Sequence, residues 1–195
     1  TLDDEVDDLV RRYLHDPVKI EVGPKEVSMD NMQHLFWMIR GPMKTKIATE
    51  AVRKCGRSIV FCRTRPGVAR VGEDFEDNGL SVATLHGGLS QRERDRAMKR
   101  FKEGDCIALI ATDVAARGLH IPSVSHVFNY ELPKDPEDYV HRVGRTARVG
   151  ESGHAISFAC EEHAISLLDI EVFIGHPLEK MEISDDLLQP SRKSE

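Results

Sequence analysis

An open α/β fold, a parallel sheet with helices on both faces, is what this sequence predicts, on two observations. Short β-branched apolar runs recur along the chain, and most are separated by segments with helical periodicity. Strands that are apolar throughout, rather than alternating, are buried on both faces, and that requires helices above and below the sheet. The 195 residues suit one compact domain with short extensions, and 40% apolar against 31% charged residues is ordinary for a chain with a core.

In chain order, TLDDEVDDLVRRYLHDPVKIEVGP at 1–24 reads as an acidic amphipathic helix ending before Pro17, then a short run to Gly23 and Pro24. It is expected to be the end of a preceding unit plus a linker, with the domain proper at 25–180. A helix is expected over 46–54. The strand SIVFC at 58–62 leads through Pro66 and Gly67 into a helix over 68–78, and SVATLH at 81–86 leads through Gly87 and Gly88 into a helix over 90–102. Ser90, with Glu93 three residues on, has the capping-box pattern at the start of that helix. Strands CIALIAT at 106–112 and HVFNYEL at 126–132 follow, then a helix over 137–143, the strand HAISFAC at 154–160 and a helix over 162–173. The polar stretch 181–195 reads as a tail. The sequence shows no internal repeat and no low-complexity segment.

Composition narrows the function classes. No apolar run approaches the roughly 20 residues that span a bilayer, so no membrane partner is expected. The acidic opening does not have the pattern of a signal or transit peptide, and a cytoplasmic location is expected. Cys55, Cys62, Cys106 and Cys160 stand far apart with no CxxC pair, which argues for reduced core thiols rather than zinc or disulfides. The net charge of -6 is unevenly spread: acid gathers at both ends, whereas Arg53, Lys54, Arg57, Arg63 and Arg65, and the helix QRERDRAMKRFK, make the middle basic.

In an open parallel sheet, ligands sit beyond the carboxyl ends of the strands, so the residues following each strand carry the functional reading. Arg63, Thr64, Arg65 and Gly67 follow one strand, Gly87 and Gly88 another, and Asp113, Arg117 and Gly118 a third. Hydroxyls, glycines and arginines there suit an anion: glycine lets oxygens approach backbone N–H groups, and helix N-termini carry partial positive charge. HRVGRTAR at 141–148 spaces Arg142, Arg145 and Arg148 by three, expected on one side of a helical turn, where like charges repel unless an anion sits among them. Each feature also has a plainer reading. Gly87 and Gly88 form a turn, Glu93 and Asp95 interleave a solvated basic helix, Arg117 pairs with a carboxylate, and the three arginines join a network with Glu137 and Asp138. Coincidence at successive strand ends favours the anion.

SIVFCRTR, HGGLSQRER, ATDVAARGLHIP and YVHRVGRTAR, in this order and spacing, resemble the second RecA-like domain of superfamily 2 RNA helicases, specifically DEAD-box proteins, over about 18–175. ARGLHIP and CEEHAI look most like the bacterial degradosome-associated type, and the opening TLDD resembles the segment after the Ser-Ala-Thr motif of the first helicase domain. The resemblance implies a RecA-like sheet with Arg145 and Arg148 as arginine fingers for the γ-phosphate of ATP. It implies Gly118 and His120 beside the nucleotide, and His141 and Arg142 linking to the other domain. Thr64, Arg65, Gly67, Gly87, Gln91, Arg94, Thr112, Asp113 and Gly118 would follow the RNA backbone, contacts that ignore base sequence. Two positions depart from the family: His120 stands where aspartate is usual, and Ala147 where glycine is usual.

ATP with Mg2+ is the implied cofactor, held mainly by an N-terminal RecA-like domain, because this chain has no G-x-x-x-x-G-K-[ST] and no Asp-Glu-Ala-Asp. The expected partners are RNA, that N-terminal domain, and ribonuclease or other RNA-decay proteins. The expected function is the C-terminal half of an ATP-dependent RNA helicase, inactive by itself. Two alternatives stand beside it. One is a stand-alone RNA- or protein-binding module; the other, a dinucleotide-binding enzyme, lacks a G-x-G-x-x-G after any strand.

Overall fold

The computed structural model describes residues 10–15, 32–39, 41–117, 121, 124–146, 153–159, 164–175 and 177–181. A helical turn at 10–13 is what is described of the expected N-terminal helix; the rest of the expected linker up to 24, and the tail from 182, lie outside the described residues.

The elements are β1 (Met32–Met38), α1 (Lys44–Cys55), β2 (Ser58–Phe61), α2 (Arg65–Asp77), β3 (Val82–Leu85), α3 (Gln91–Glu103), β4 (Ala108–Ala111), α4 (Asp113–Ala116), β5 (His126–Asn129), α5 (Pro136–Val143), β6 (Gly153–Ala159), α6 (Ala164–Ile174) and β7 (Glu179–Met181). The strands form one sheet in the order β3-β4-β2-β5-β6-β1-β7, and every pairing is parallel. β2 and β4 are buried at all four positions, as two-sided cover requires.

On one face, Ile47 and Ala51 of α1 and Val68, Val71 and Phe75 of α2 pack on Val60, Phe128 and Phe158. On the other, α3 and α4 cover Ile59, Phe61 and Leu109 through Ala97, Phe101 and Ala115. On that second face α5 and α6 also cover Phe36 and Ala155, through Tyr139, Val143 and Ile170. The helices leaving β2 and β4, neighbouring strands, therefore lie on opposite faces, and their divergence opens a crevice at the carboxyl ends of the two strands. β1, β7 and α4 are not among the expected elements. β1 joins β6 in a seven-residue register although Gln33 and His34 interrupt its apolar pattern.

Candidate functional site

The loops after β2, β3 and β4 meet at one edge of the sheet because those strands are adjacent in it. Thr64 caps α2: its Oγ1 accepts the Gly67 N–H at 3.1 Å, and a Cβ on Gly67 would stand 3.0 Å from that oxygen. Arg65 reaches past the end of β4 to Gly87, where a Cβ would come within 3.3 Å of the guanidinium. The Thr112 N–H donates to the Leu85 carbonyl at 3.1 Å, tying the end of β4 to the end of β3. Gln91 opens α3 behind the Ser90 cap, with the capping box formed on both sides, and its Nε2 donates to Asp95 at 2.8 Å. Arg94 is half-buried, and its Nε finds no hydrogen-bond partner among the described residues. Thr64, Arg65, Gly67, Gly87, Gln91, Arg94 and Thr112 thus collect at one edge, with hydroxyl, glycine and guanidinium chemistry together.

Arg142 lies deeper. Its side chain is 1% exposed. Nε donates to Asp113 Oδ1 at 2.6 Å and Nη2 to Oδ2 at 2.8 Å, the bidentate fork that a guanidinium makes with a carboxylate. Nη1 donates to Asn129 Oδ1 at 3.1 Å and to the Glu131 carbonyl at 2.6 Å, and the guanidinium lies 5.2 Å from the Phe61 ring centroid. Asn129 in turn donates to Ser157 Oγ at 3.0 Å. A single side chain on α5 therefore joins the ends of β2 and β5 and the start of α4, and through Asn129 reaches β6.

Arg142 and Arg145 do not share one helical side. α5 ends at Val143, and the chain turns through Gly144, with the Arg145 N–H donating to the Arg142 carbonyl at 3.1 Å. The Arg145 carbonyl accepts from the Val124 N–H at 3.2 Å, and Thr146 Oγ1 donates to the Ser125 carbonyl at 3.1 Å. Arg142 thereby points inward while Arg145, half-exposed, lines the crevice with Phe61, Arg117, Asp138 and His141. Arg117 is ion-paired to Asp138. Gly118, His120, Ala147 and Arg148 lie outside the described residues.

Burial pushes the Cys62 thiol up to about 12, with the Glu131 carboxylate adding to the shift, and burial also raises Cys55 and Cys106. Such thiols are poor nucleophiles, and none joins the strand-end constellation. Among the described residues no group of three or more His, Cys, Asp or Glu gathers to hold a metal ion. Sequence reasoning did not single out Asn129, Ser157 or Phe61. The signal was there in part: an asparagine and a serine, each beside buried apolar residues of its strand, face each other in register across β5 and β6.

Residues 43–150 match the family described as the helicase conserved C-terminal domain. The chain belongs to that family. Its sequence is similar to the ATP-dependent RNA helicase RhlB of Shewanella frigidimarina, 39% identical over 98% of this chain and 46% of the relative. The chain thus spans about half the length of that curated relative. Its structure is similar to the E. coli DEAD-box protein SrmB bound to regulator of ribonuclease activity A, with a TM-score of 0.75 and 34% identity over 84% of this chain and 97% of that one. It is also similar to S. cerevisiae Dbp5 bound to RNA and ADP BeF3, with a TM-score of 0.76 and 33% identity over 94% of this chain and 49% of that one. The helicase C-terminal domain seen here is of the DEAD-box kind, its parallel sheet is the RecA-like one, and a stand-alone binding module is not favoured.

Proposed function

We propose that this chain is the C-terminal half of the catalytic core of an ATP-dependent RNA helicase. In this reading it grips the RNA backbone at the strand-end edge and presents arginines to ATP bound mainly by an N-terminal RecA-like domain. The observation that carries the reading is the convergence of Thr64, Gly87, Gln91, Arg94 and Thr112 at one sheet edge, with the arginine segment on the neighbouring crevice. Hydroxyls, exposed glycine backbone and guanidinium groups recognise phosphate and ribose without reading bases. The similarity to a Dbp5 structure containing RNA and ADP BeF3 supports the same assignment.

The chain's donor set fits the terminal phosphate and not the rest of the nucleotide. Arg145 at the crevice mouth, beside Arg117 and His141, supplies the cationic fork that phosphate oxygens accept. No phosphate-cradling glycine-lysine motif is present for the α- and β-phosphates or Mg2+, which belong to the other domain in this proposal. ATP when bound supplies the phosphoryl group whose transfer to water drives the cycle. Arg145 and Arg148 neutralise charge there, an effect of about 10³–10⁵ in rate in related NTPases. As the resemblance implies, Gly118 and His120 would flank the nucleotide and His141 would link the segment to the other domain, while Arg142 braces it from within. In this proposal the domain spans 25–180, with 1–24 as the preceding domain's end and linker; ribonuclease or other RNA-decay proteins are the proposed partners and the cytoplasm the proposed location.

Steady-state ATP hydrolysis, with and without single-stranded RNA, tests this on the chain alone, joined to its N-terminal domain, and joined with Arg145→Ala. The expectation is RNA-stimulated turnover in the joined form alone, falling at least about 10³-fold with the substitution. Turnover by the isolated chain, or an indifferent arginine, would overturn it.

A further inference from the structure

α3 carries three arginines outside the strand-end constellation. Arg92, Arg96 and Arg100 recur every fourth residue, so they lie along one side of the helix with about 6 Å of axial rise between neighbours. That side faces outward at the sheet margin. β3 ends the strand order, and Arg96 and Arg100 line an open cleft against Ala83 and Thr84 of β3, with Glu93 in the same wall.

Interleaved carboxylates ordinarily neutralise such a stripe, and the structure shows where these go. Glu93 closes the capping box, accepting from the Ser90 N–H at 2.7 Å and the Ser90 hydroxyl at 2.6 Å. Asp95 accepts from Gln91 at 2.8 Å, and Glu103 lies 3.8 Å from Lys99. Arg92 and Arg96 are exposed and make no hydrogen bond or ion pair among the described residues, while Arg100 reaches Ser81 Oγ at 3.4 Å. The helix bears six cationic side chains against three carboxylates on a chain whose net charge is -6. Like charges concentrated against the overall sign are a local anion field. The cleft lining contains no aromatic ring on which a base could stack, so its chemistry is that of a backbone contact.

The start of α3 lies at the strand-end edge beside Gly87, and the helix runs from there along β3. We propose that Arg92, Arg96 and Arg100 form a second RNA contact, a track on which a single strand leaving the strand-end site lays successive phosphates against the sheet margin. The track rests on the RNA-binding reading above and extends it to RNA outside the strand-end constellation. It adds length-dependent, salt-sensitive affinity with no base preference.

The test is binding of the full-length protein to two oligouridines, one just long enough to cover the strand-end site and one of twice that length, as salt is varied. The variants are Arg96→Gln alone, which breaks no hydrogen bond or ion pair among the described residues, and Arg96→Gln with Arg100→Gln. Each phosphate contact on a single strand contributes about 0.7 to the slope of log affinity against log salt, so the double variant should lose roughly 1.4 of slope on the long oligomer. Raising salt from about 50 to 200 mM should then weaken the double variant about sevenfold less than the wild type. Binding of the short oligomer should be unchanged. Equal losses at both lengths would place these arginines in the strand-end site, and no loss at either would leave them a solvated face; both overturn the track. So would a loss confined to binding of vesicles rich in phosphatidylserine. A wild type that binds neither oligomer would overturn the RNA-binding reading itself.

Discussion

Arg142 is the residue on which the site is built, and its environment decides what a substitution there would do. A buried guanidinium is tolerated because four of its donor contacts are satisfied, two of them by one carboxylate. Arg142→Met, which leaves Asp113 without its counter-charge, is expected to cost about 3–5 kcal/mol in urea unfolding of the chain. Adding Asp113→Leu should recover part of that loss, because two matched apolar groups leave no orphaned charge. His126 and His154 face each other in register at the other end of the sheet, with ring centroids 4.8 Å apart. Burial, and then the neighbouring His154, lower the His126 pKa below its ordinary 6.5. The unfolded chain therefore takes up that proton first, so this contribution to stability is complete above 6.5 and is lost as the pH falls below it. Unfolding measured from pH 7.5 to 5 should show a steeper acid loss in the wild type than in His126→Gln; parallel curves would remove His126 as the cause.

Helix α2 against strand β3 shows how closely these elements are fitted. A Cβ on Gly72 would lie 2.8 Å from Thr84 Cγ2, too near for any real contact. Replacing a helix-interior glycine by alanine usually gains about 1 kcal/mol in propensity, but forcing a methyl into a filled space costs about 1–3 kcal/mol. Packing should win: Gly72→Ala is expected to lower stability, and Gly72→Ala with Thr84→Ser, which removes the opposing methyl, to restore it. Thermal unfolding of the two variants and the parent decides this. The elements most legible in the sequence are those whose pattern is local. The β2, β3, β4 and β5 runs are apolar and flanked by turn residues, and the Ser90 capping box needs no tertiary partner. β7 was not legible, since Glu179, Lys180 and Met181 are all exposed and become a strand through pairing with β1. α4, four residues long, carries too little periodicity to read.

Across the whole molecule, the strand order turns separate motifs into one site, and that order is what a linear reading lacks. Thr64, Gly87 and Thr112 are singled out by the chemistry that follows each strand, but their meeting depends on β4 lying between β3 and β2. The arginine triplet shows the opposite case. Its spacing suggests one shared face, whereas the end of α5 at Val143 sends Arg142 inward and Arg145 to the crevice. Asp113, whose motif implies contact with RNA at the strand-end edge, holds Arg142 in the bidentate pair. Through that pair it fixes the distance between the end of β4, where Thr112 sits, and the α5 segment that positions Arg145. On the proposed function, Asp113→Asn should then weaken coupling rather than grip, because the amide NH₂ would face a guanidinium donor. In the full-length protein, RNA-stimulated kcat is expected to fall about tenfold or more, each tenfold being about 1.4 kcal/mol of transition-state stabilisation. The RNA concentration giving half-maximal stimulation should move little. The reverse pattern, a raised half-maximal RNA concentration with kcat intact, would make Asp113 an RNA ligand and leave Arg142 a brace with no part in coupling.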